Sequence, residues 1–246
     1  MIKIVVYITK SIIALLAALL FNSCQFAVDL GDSVKGSGNV TTEKRSVTED
    51  FTNIEVSQGI DLILTQSDTK SIEVEADDNI IEHIETSISS GVLTIKMDKS
   101  VRTKSSRKVK VSLPIIEALS CSSGASIINN GIVKSVSLDL DASSGSEIDL
   151  SVEAENLISE SSSGSEINLK GKVLKLEVNS SSGSEINASE LLANEVKAGS
   201  SSGSSIEVHP ILSLEAKASS GSDIKYFNLP KNVTKSSSSG GSISKN

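Results

Sequence analysis

Aromatic residues make up only 2% of the 246-residue chain, and there is no tryptophan. The chain therefore lacks the ring platforms that usually stack sugars, bases or flat cofactors. It has two cysteines and two histidines, too few for a transition-metal centre or a disulfide framework. Positive charge is also in deficit: 23 lysines and arginines face 31 acids, a net charge of -8. A general nucleic-acid binder needs clustered cations for phosphate, so no nucleic-acid partner is expected. Hydrophobic runs are short. The longest, Ser11 to Phe21, falls below the roughly 20 residues of a comfortable transmembrane helix.

That run has the layout of an export signal. Lys3 and Lys10 form a weakly basic start, the apolar segment follows, and Asn22, Ser23 and Cys24 close it. A cysteine directly after such a segment resembles a bacterial lipoprotein signal, in which the cysteine becomes the lipidated first residue. Phe21 stands where leucine is usual, and Asn22 is not typical. An ordinary signal peptide and an uncleaved anchor are the alternatives. The expectation is a signal peptide over 1–23 and membrane attachment through lipidated Cys24. Residues 24–45 read as a polar tether, and 46–246 as the folded domain. Removing 1–23 takes away two lysines and no acid, so the net charge moves from -8 to -10. Cys121 then remains as the one thiol besides Cys24, and a buried, alanine-like role suits it.

The most informative feature is a repeat, Ser-Ser-Gly-x-x-Ile, which recurs seven times over 121–246. Its glycines are Gly124, Gly145, Gly164, Gly183, Gly203, Gly221 and Gly240, spaced 18 to 21 residues apart. Three residues after each stands isoleucine: Ile127, Ile148, Ile167, Ile186, Ile206, Ile224 and Ile243. Polar and apolar residues then alternate with period two, as in a strand with one face inward. Three residues before each glycine the side chain is always small: Cys121, Ala142, Ser161, Ser180, Ser200, Ala218 and Ser237.

A unit of about 19 residues cannot bury its apolar face alone, so neighbouring units must stack. Parallel stacking puts like residues above one another at about 4.8 Å. The isoleucines become an internal ladder, and Ser-Ser-Gly becomes a tight corner whose glycines supply positive φ. Serine hydroxyls can bond the corner backbone and one another between rungs. The expected fold is all-β, a right-handed parallel β-helix with coils of about 19 residues. An up-and-down sandwich or barrel and disorder are the alternatives; the regular isoleucine column argues against disorder. Residues 46–120 are less regular and read as longer coils of the same solenoid. Residues 78–88 suit a short helix or an irregular loop, and the polar tail 235–246 would cover the last rung.

Several motifs point to a known family. They are the lipoprotein-type signal, the opening F-x-x-I-x-V-x-x-G-I-D-L at 51–62, G-V-L-T-I at 91–95, V-x-V-x-L-P at 109–114, and the stacked G-S-x-I repeats. The chain resembles the auto-transporter adhesin, head GIN domain family of Bacteroidetes-type lipoproteins, over about 46–243. Gly59-Ile60-Asp61 departs from Gly-Ile-Asn by one residue. The resemblance implies a β-helix of the pectin-lyase type, no known catalytic constellation, and adhesion as an inferred role. The expectation is a cell-envelope, outer-membrane lipoprotein, on either the surface or the periplasmic face, that presents its polar flank to an extracellular glycan or protein; a periplasmic structural scaffold or partner-binding protein and a polysaccharide-processing β-helix enzyme are the alternatives.

For chemistry, the repeat offers one acidic strip. Glu147, Glu166 and Glu185 share a column, and Asp223 holds it two rungs further on. Asp149, Asn168 and Asn187 lie two residues away on the same outward face. Such an oxygen-rich strip is a candidate ligand or cation site, and Ca²⁺ is the cation it would suit. Its plainer role is a hydrated edge that keeps the solenoid soluble, and no cofactor is required. No catalytic residue is assigned: the serine ladder has no base beside it, and a hydroxyl without a base is not a nucleophile. His83 reads as a surface residue and His209, before Pro210, as a loop or turn residue. Lys99, Arg102, Lys104, Arg107, Lys108 and Lys110 form the one basic cluster. It would meet anionic headgroups or an acidic glycan, or simply solvent.

Overall fold

The computed structural model describes residues 33–105 and 107–246. The signal segment, Cys24 and the first part of the 24–45 stretch lie outside the described residues.

The described chain is all-β apart from a 3-10 turn at Ile81–His83. Its first half contains β1 (Val34–Lys35), β2 (Val40–Arg45), β3 (Asn53–Val56), β4 (Asp61–Gln66), β5 (Ser71–Asp77), β6 (Ile84–Ser89), β7 (Val92–Met97), β8 (Val101–Arg102) and β9 (Lys108–Leu113). The repeat region contains β10 (Ala118–Cys121), β11 (Ser126–Asn130), β12 (Val133–Ala142), β13 (Glu147–Ser161), β14 (Glu166–Ser180), β15 (Glu185–Ser200), β16 (Ser205–Ala218), β17 (Asp223–Tyr226), β18 (Asn232–Ser237) and β19 (Ser242–Lys245). From β10 onward successive rungs pair in parallel, about 19 residues apart, giving a β-solenoid of about seven turns.

The isoleucine column lies inside. Ile148 pairs with Ile167, Ile167 with Ile186, Ile186 with Ile206 and Ile206 with Ile224, all fully or almost fully buried. The inward phase slips once in β13 and β14 and twice in β15, and it holds throughout β16. In β13 the inward residues are Ile148, Leu150 and Val152, then Leu157, Ser159 and Ser161. That slip is the second corner of the coil, so one continuous strand lines two walls of the core.

The Ser-Ser-Gly corner carries more than the glycine's freedom. Both central residues of the turn have positive φ: Ser144 at 56° and Gly145 at 69°, Ser163 at 54° and Gly164 at 71°. The Ser146 N–H donates to Ser143 O at 3.3 Å and closes a turn with the φ signs of type I′. Glycine tolerates that backbone, whereas serine there costs about 1–2 kcal/mol. Two ladders between rungs offset this. The Gly164 N–H donates to Ser182 O at 3.2 Å, and the other corner glycines do the same one rung apart. The buried Ser165 hydroxyl donates to Ala142 O at 2.7 Å on the preceding rung. It also accepts from the Ser162 N–H, and Ser161 Oγ lies 2.8 Å away. Ser184 and Ser204 repeat this arrangement.

Residues 46–120 do join the solenoid, but not as coils in chain order. The rung β3–β4 lies between β7–β9 on one side and β10–β11 on the other. The connections run over antiparallel strands: β5 on β9, β2 on β5, and β6 on β7. The ambiguous 78–88 stretch is the 3-10 turn followed by β6. The expected tether is correspondingly shorter. Residues 34–35 pair with β8, and 40–45 pair with β5, so the fold begins well before residue 46. The strand VTTEKR escapes a hydrophobicity reading because it is exposed along nearly its whole length. At the other end, β18 and β19 supply a polar, largely exposed last rung.

One rung provides an internal test of the corner. Ser159 is fully buried, and its hydroxyl has no hydrogen-bond partner. Its column neighbours are Leu140 and Val178. Ser165→Ala should lower unfolding free energy by about 1 kcal/mol, because a buried hydrogen bond is lost. Ser159→Ala, in the same rung, should raise it by about 1 kcal/mol, because an unsatisfied buried hydroxyl is removed. Urea unfolding followed by circular dichroism reads both, and the same sign for the two variants would contradict this account of the corner.

Candidate functional site

The acidic strip assembles in register. Glu147 lies opposite Glu166, Glu166 opposite Glu185, Glu185 opposite Ser205, and Ser205 opposite Asp223. Glu147, Glu166 and Glu185 are exposed. The second column pairs Asp149 with Asn168 and Asn168 with Asn187. These three line a shallow depression of about 220 Å³ together with Lys170 and Glu190; Glu147, Glu166 and Glu185 stand outside it.

The strip largely satisfies itself. Asn168 Nδ2 donates to Glu166 Oε1 at 2.7 Å, Asn187 Oδ1 accepts from Ser189 Oγ at 2.7 Å, and Lys170 Nζ lies 3.7 Å from Asp149 Oδ1. Among the described residues, no group of three or more His, Cys, Asp or Glu side chains is placed to hold a metal ion. The donor set therefore does not fit Ca²⁺, because ligands spread one per rung along an exposed strand do not converge on one point.

The same column contains a residue that the repeat alignment missed. Asp61 pairs with Ser126, which pairs with Glu147, and the Ser126 hydroxyl donates to Asp61 Oδ1 at 2.8 Å. Gly59 likewise continues the glycine column: its N–H donates to Ser123 O at 3.1 Å, and Gln58 takes the left-handed position with φ 60°. The signal was present as glycine, any residue, acid, aliphatic, shared by Gly59-Ile60-Asp61-Leu62 and Gly145-Ser146-Glu147-Ile148. A side chain at Gly59 would meet Arg107 Nη2 at 2.8 Å.

A larger concavity lies on the other side of the corner. A groove of about 570 Å³ crosses the rungs between the corner serines and the outward residues four before each glycine. Those outward residues are Asp141, Glu160, Asn179, Gly199, Lys217 and Ser236. Its walls are hydroxyls, an amide and charges: carboxylates on two neighbouring rungs, then an amide, a bare glycine, an ammonium and a hydroxyl. Beside it, an ion pair ties two rungs together, Lys197 Nζ lying 2.7 Å from Glu177 Oε1, which raises the lysine pKa; within β16, Lys217 holds the Glu215 carboxyl below its ordinary value.

The remaining candidates are structural. Cys121 is 1% exposed, and burial pushes its thiol up to about 11, so it is not a reactive thiolate at neutral pH. His83 is not a surface residue: it is 9% exposed, with Nδ1 3.0 Å from Asp98 Oδ1. His209 sits inside β16 rather than in a loop, with Nδ1 3.0 Å from Ser189 O. The two histidines belong to opposite ends of the rung order, and the serine ladder has neither beside it.

Comparison with known proteins follows the fold. The family model described as "Putative auto-transporter adhesin, head GIN domain" matches residues 50–230. Among curated proteins nothing matches. A crystal structure of a "putative adhesin" from Bacteroides fragilis aligns with a TM-score of 0.81 at 20% identity, covering 87% of this chain and 100% of that one. One from Parabacteroides merdae, also called a "putative adhesin", gives 0.69 at 22% identity, covering 87% and 99%. A "Putative lipid binding protein" from Parabacteroides distasonis gives 0.72 at 21% identity, covering 87% and 100%. At these identities the structures speak for the fold alone.

If the glutamate column is a hydrated edge, its stacked like charges repel. Glu166→Gln removes the charge between two neighbours. It should raise the thermal unfolding midpoint at low ionic strength, and about 1 M salt should erase the difference. A fall in the midpoint at low salt would instead mean that the column is engaged by a cation.

Proposed function

This chain belongs to the auto-transporter adhesin, head GIN domain family, and we propose that it is a non-enzymatic lipoprotein that presents the polar flank of its solenoid to a glycan or protein. A cell-envelope or cell-surface location accords with the family. The observation that carries the reading is the corner groove, which crosses successive rungs without converging on any one of them. An enzyme brings an acid, a base or a nucleophile together at one point. Among the described residues the ladder serines stand without a histidine beside them, and the strip carboxylates are spread along columns. A groove lined by polar side chains on successive rungs about 4.8 Å apart suits an extended partner lying along the stack.

The lipid reading rests on the residues before the fold. Cys24 follows the apolar segment after Asn22 and Ser23, and only eight residues separate it from Ser33. A short link of that kind would hold the solenoid close to the membrane while leaving its flank free.

Protease shaving of intact cells tests the exposed position. Loss of the protein, with periplasmic proteins spared, is the expected outcome. Full protection, with cleavage in lysed cells, would overturn the adhesin reading in favour of a periplasmic scaffold. Cys24→Ala should in parallel abolish labelling by a radioactive fatty acid and release the protein from the membrane fraction. Retention of the label would remove Cys24 as the anchor.

A further inference from the structure

The basic cluster does not remain together in the fold. Lys110 Nζ lies 3.0 Å from Glu73 Oε1 and 3.2 Å from Glu75 Oε2, and Lys108 lies 3.8 Å from Glu75 Oε1. These two lysines are engaged by the neighbouring antiparallel strand. Arg102, Lys104 and Arg107 turn to a different place, where they are joined by Lys35 from β1. The four cations border an open concavity of about 840 Å³ whose lining contains no acid. Among the described residues, none of the four takes part in an ion pair, whereas eleven other lysines and arginines do.

The nearby acids are already committed. Asp77 is fully buried, and its Oδ2 accepts from the Thr103 hydroxyl at 2.6 Å, which holds the loop in place. The hydroxyls of Thr103 and Ser105, above all the first, keep the Asp77 carboxyl below its ordinary value. Asp78 accepts from the Ser37 hydroxyl at 2.5 Å. Even counting both, the four cations leave this wall positive in a protein that is otherwise acidic.

The position of the concavity says what would meet it. Loop 98–107 joins β7 to β9, so it takes the place of the Ser-Ser-Gly corner in the outermost rung. Strand β1 is pinned to β8 there, with Val34 opposite Val101 and Lys35 opposite Arg102. Ser33, on the lip, is nine residues after Cys24. Nine residues span at most about 30 Å. A lipid on Cys24 would therefore keep the concavity near the bilayer surface, within reach of the field of anionic headgroups.

We propose that Lys35, Arg102, Lys104 and Arg107 form a docking surface for the phosphate groups of an anionic lipid bilayer. The contact fixes the capped end of the solenoid against the membrane, and none of the corner groove's lining residues belongs to the docking surface. The location rests on the lipoprotein reading of Cys24; the charge does not.

The test uses the chain from residue 24 onward with Cys24→Ser, which carries no lipid, so its result is independent of the anchor. Co-sedimentation with vesicles of phosphatidylcholine, and of equimolar phosphatidylcholine and phosphatidylglycerol, should show binding to the second alone. That binding should weaken as salt is raised. A cation near an anionic surface contributes about fivefold in affinity. The combined Lys35→Gln, Arg102→Gln and Lys104→Gln variant should therefore bind about 100-fold more weakly, with an unchanged circular dichroism melt. Lys175→Gln with Lys231→Gln, on the solenoid itself, should bind as the parent does. Equal binding to both vesicles, no binding to either, or a triple variant that binds normally would overturn the proposal. Binding of soluble polygalacturonate without binding of anionic vesicles would overturn it too, and would assign the cations to an acidic glycan. Should the triple variant fail to fold, the salt dependence of the parent still decides.

Discussion

The fold depends on one repeated turn. Two consecutive left-handed residues, serine then glycine, reverse the chain in the least space available, and serine in that position is unfavourable by itself. The turn persists because the strain is shared along a column. Each corner glycine from Gly124 to Gly221 gives its N–H to the serine carbonyl of the next rung, and Ser146, Ser165, Ser184, Ser204 and Ser222, each just after a corner glycine, return a hydroxyl to the rung before. With the corners aligned, the strands on either side are forced into register, and the isoleucines three residues on fall above one another. The apolar core supplies most of the stabilisation. The corner decides which residues enter it.

The outward surface follows from the same constraint. Strands held in register place every outward residue in a column, so the surface is read in steps of about 4.8 Å rather than as a pocket. Where columns carry like charge, as at Glu147, Glu166 and Glu185, the result is a hydrated ridge. Where they vary, as from Asp141 to Ser236, the result is a groove with changing polar character. The corner is replaced only at the capped end, by the cationic loop before β9. That loop covers Gly59, which has no room for a side chain under Arg107.

Much of this was legible in the residues. The glycine spacing, the isoleucine column and the column of small side chains at Ser161 and Ser180 define the solenoid from Cys121 onward. The earlier part was harder for a physical reason. Gly59 and Gly124 occupy neighbouring rungs but stand 65 residues apart, because the chain detours through β5 to β9 before returning. No fixed period survives that detour, so Asp61 was not aligned with Glu147. Antiparallel strands such as β2 leave no period either, since the alternation of an exposed strand carries no apolar signal. His83 looked like surface because its partner, Asp98, comes from beyond a hairpin. The repeat register lines up the columns of the acidic strip, while Asn168 and Asn187 find partners within their own strands and Asp149 meets Lys170 on the next.

The most direct measurement of the corner's role is amide hydrogen exchange by NMR at Gly145, Gly164 and Gly183. Glycine amides at an exposed turn ordinarily exchange quickly. Here each is spent on the next rung, so protection comparable with that of Ile148, Ile167 and Ile186 is predicted. Exchange at the rate of an open loop, with the isoleucine amides still protected, would show that the strands hold the stack without the corner and would contradict this account.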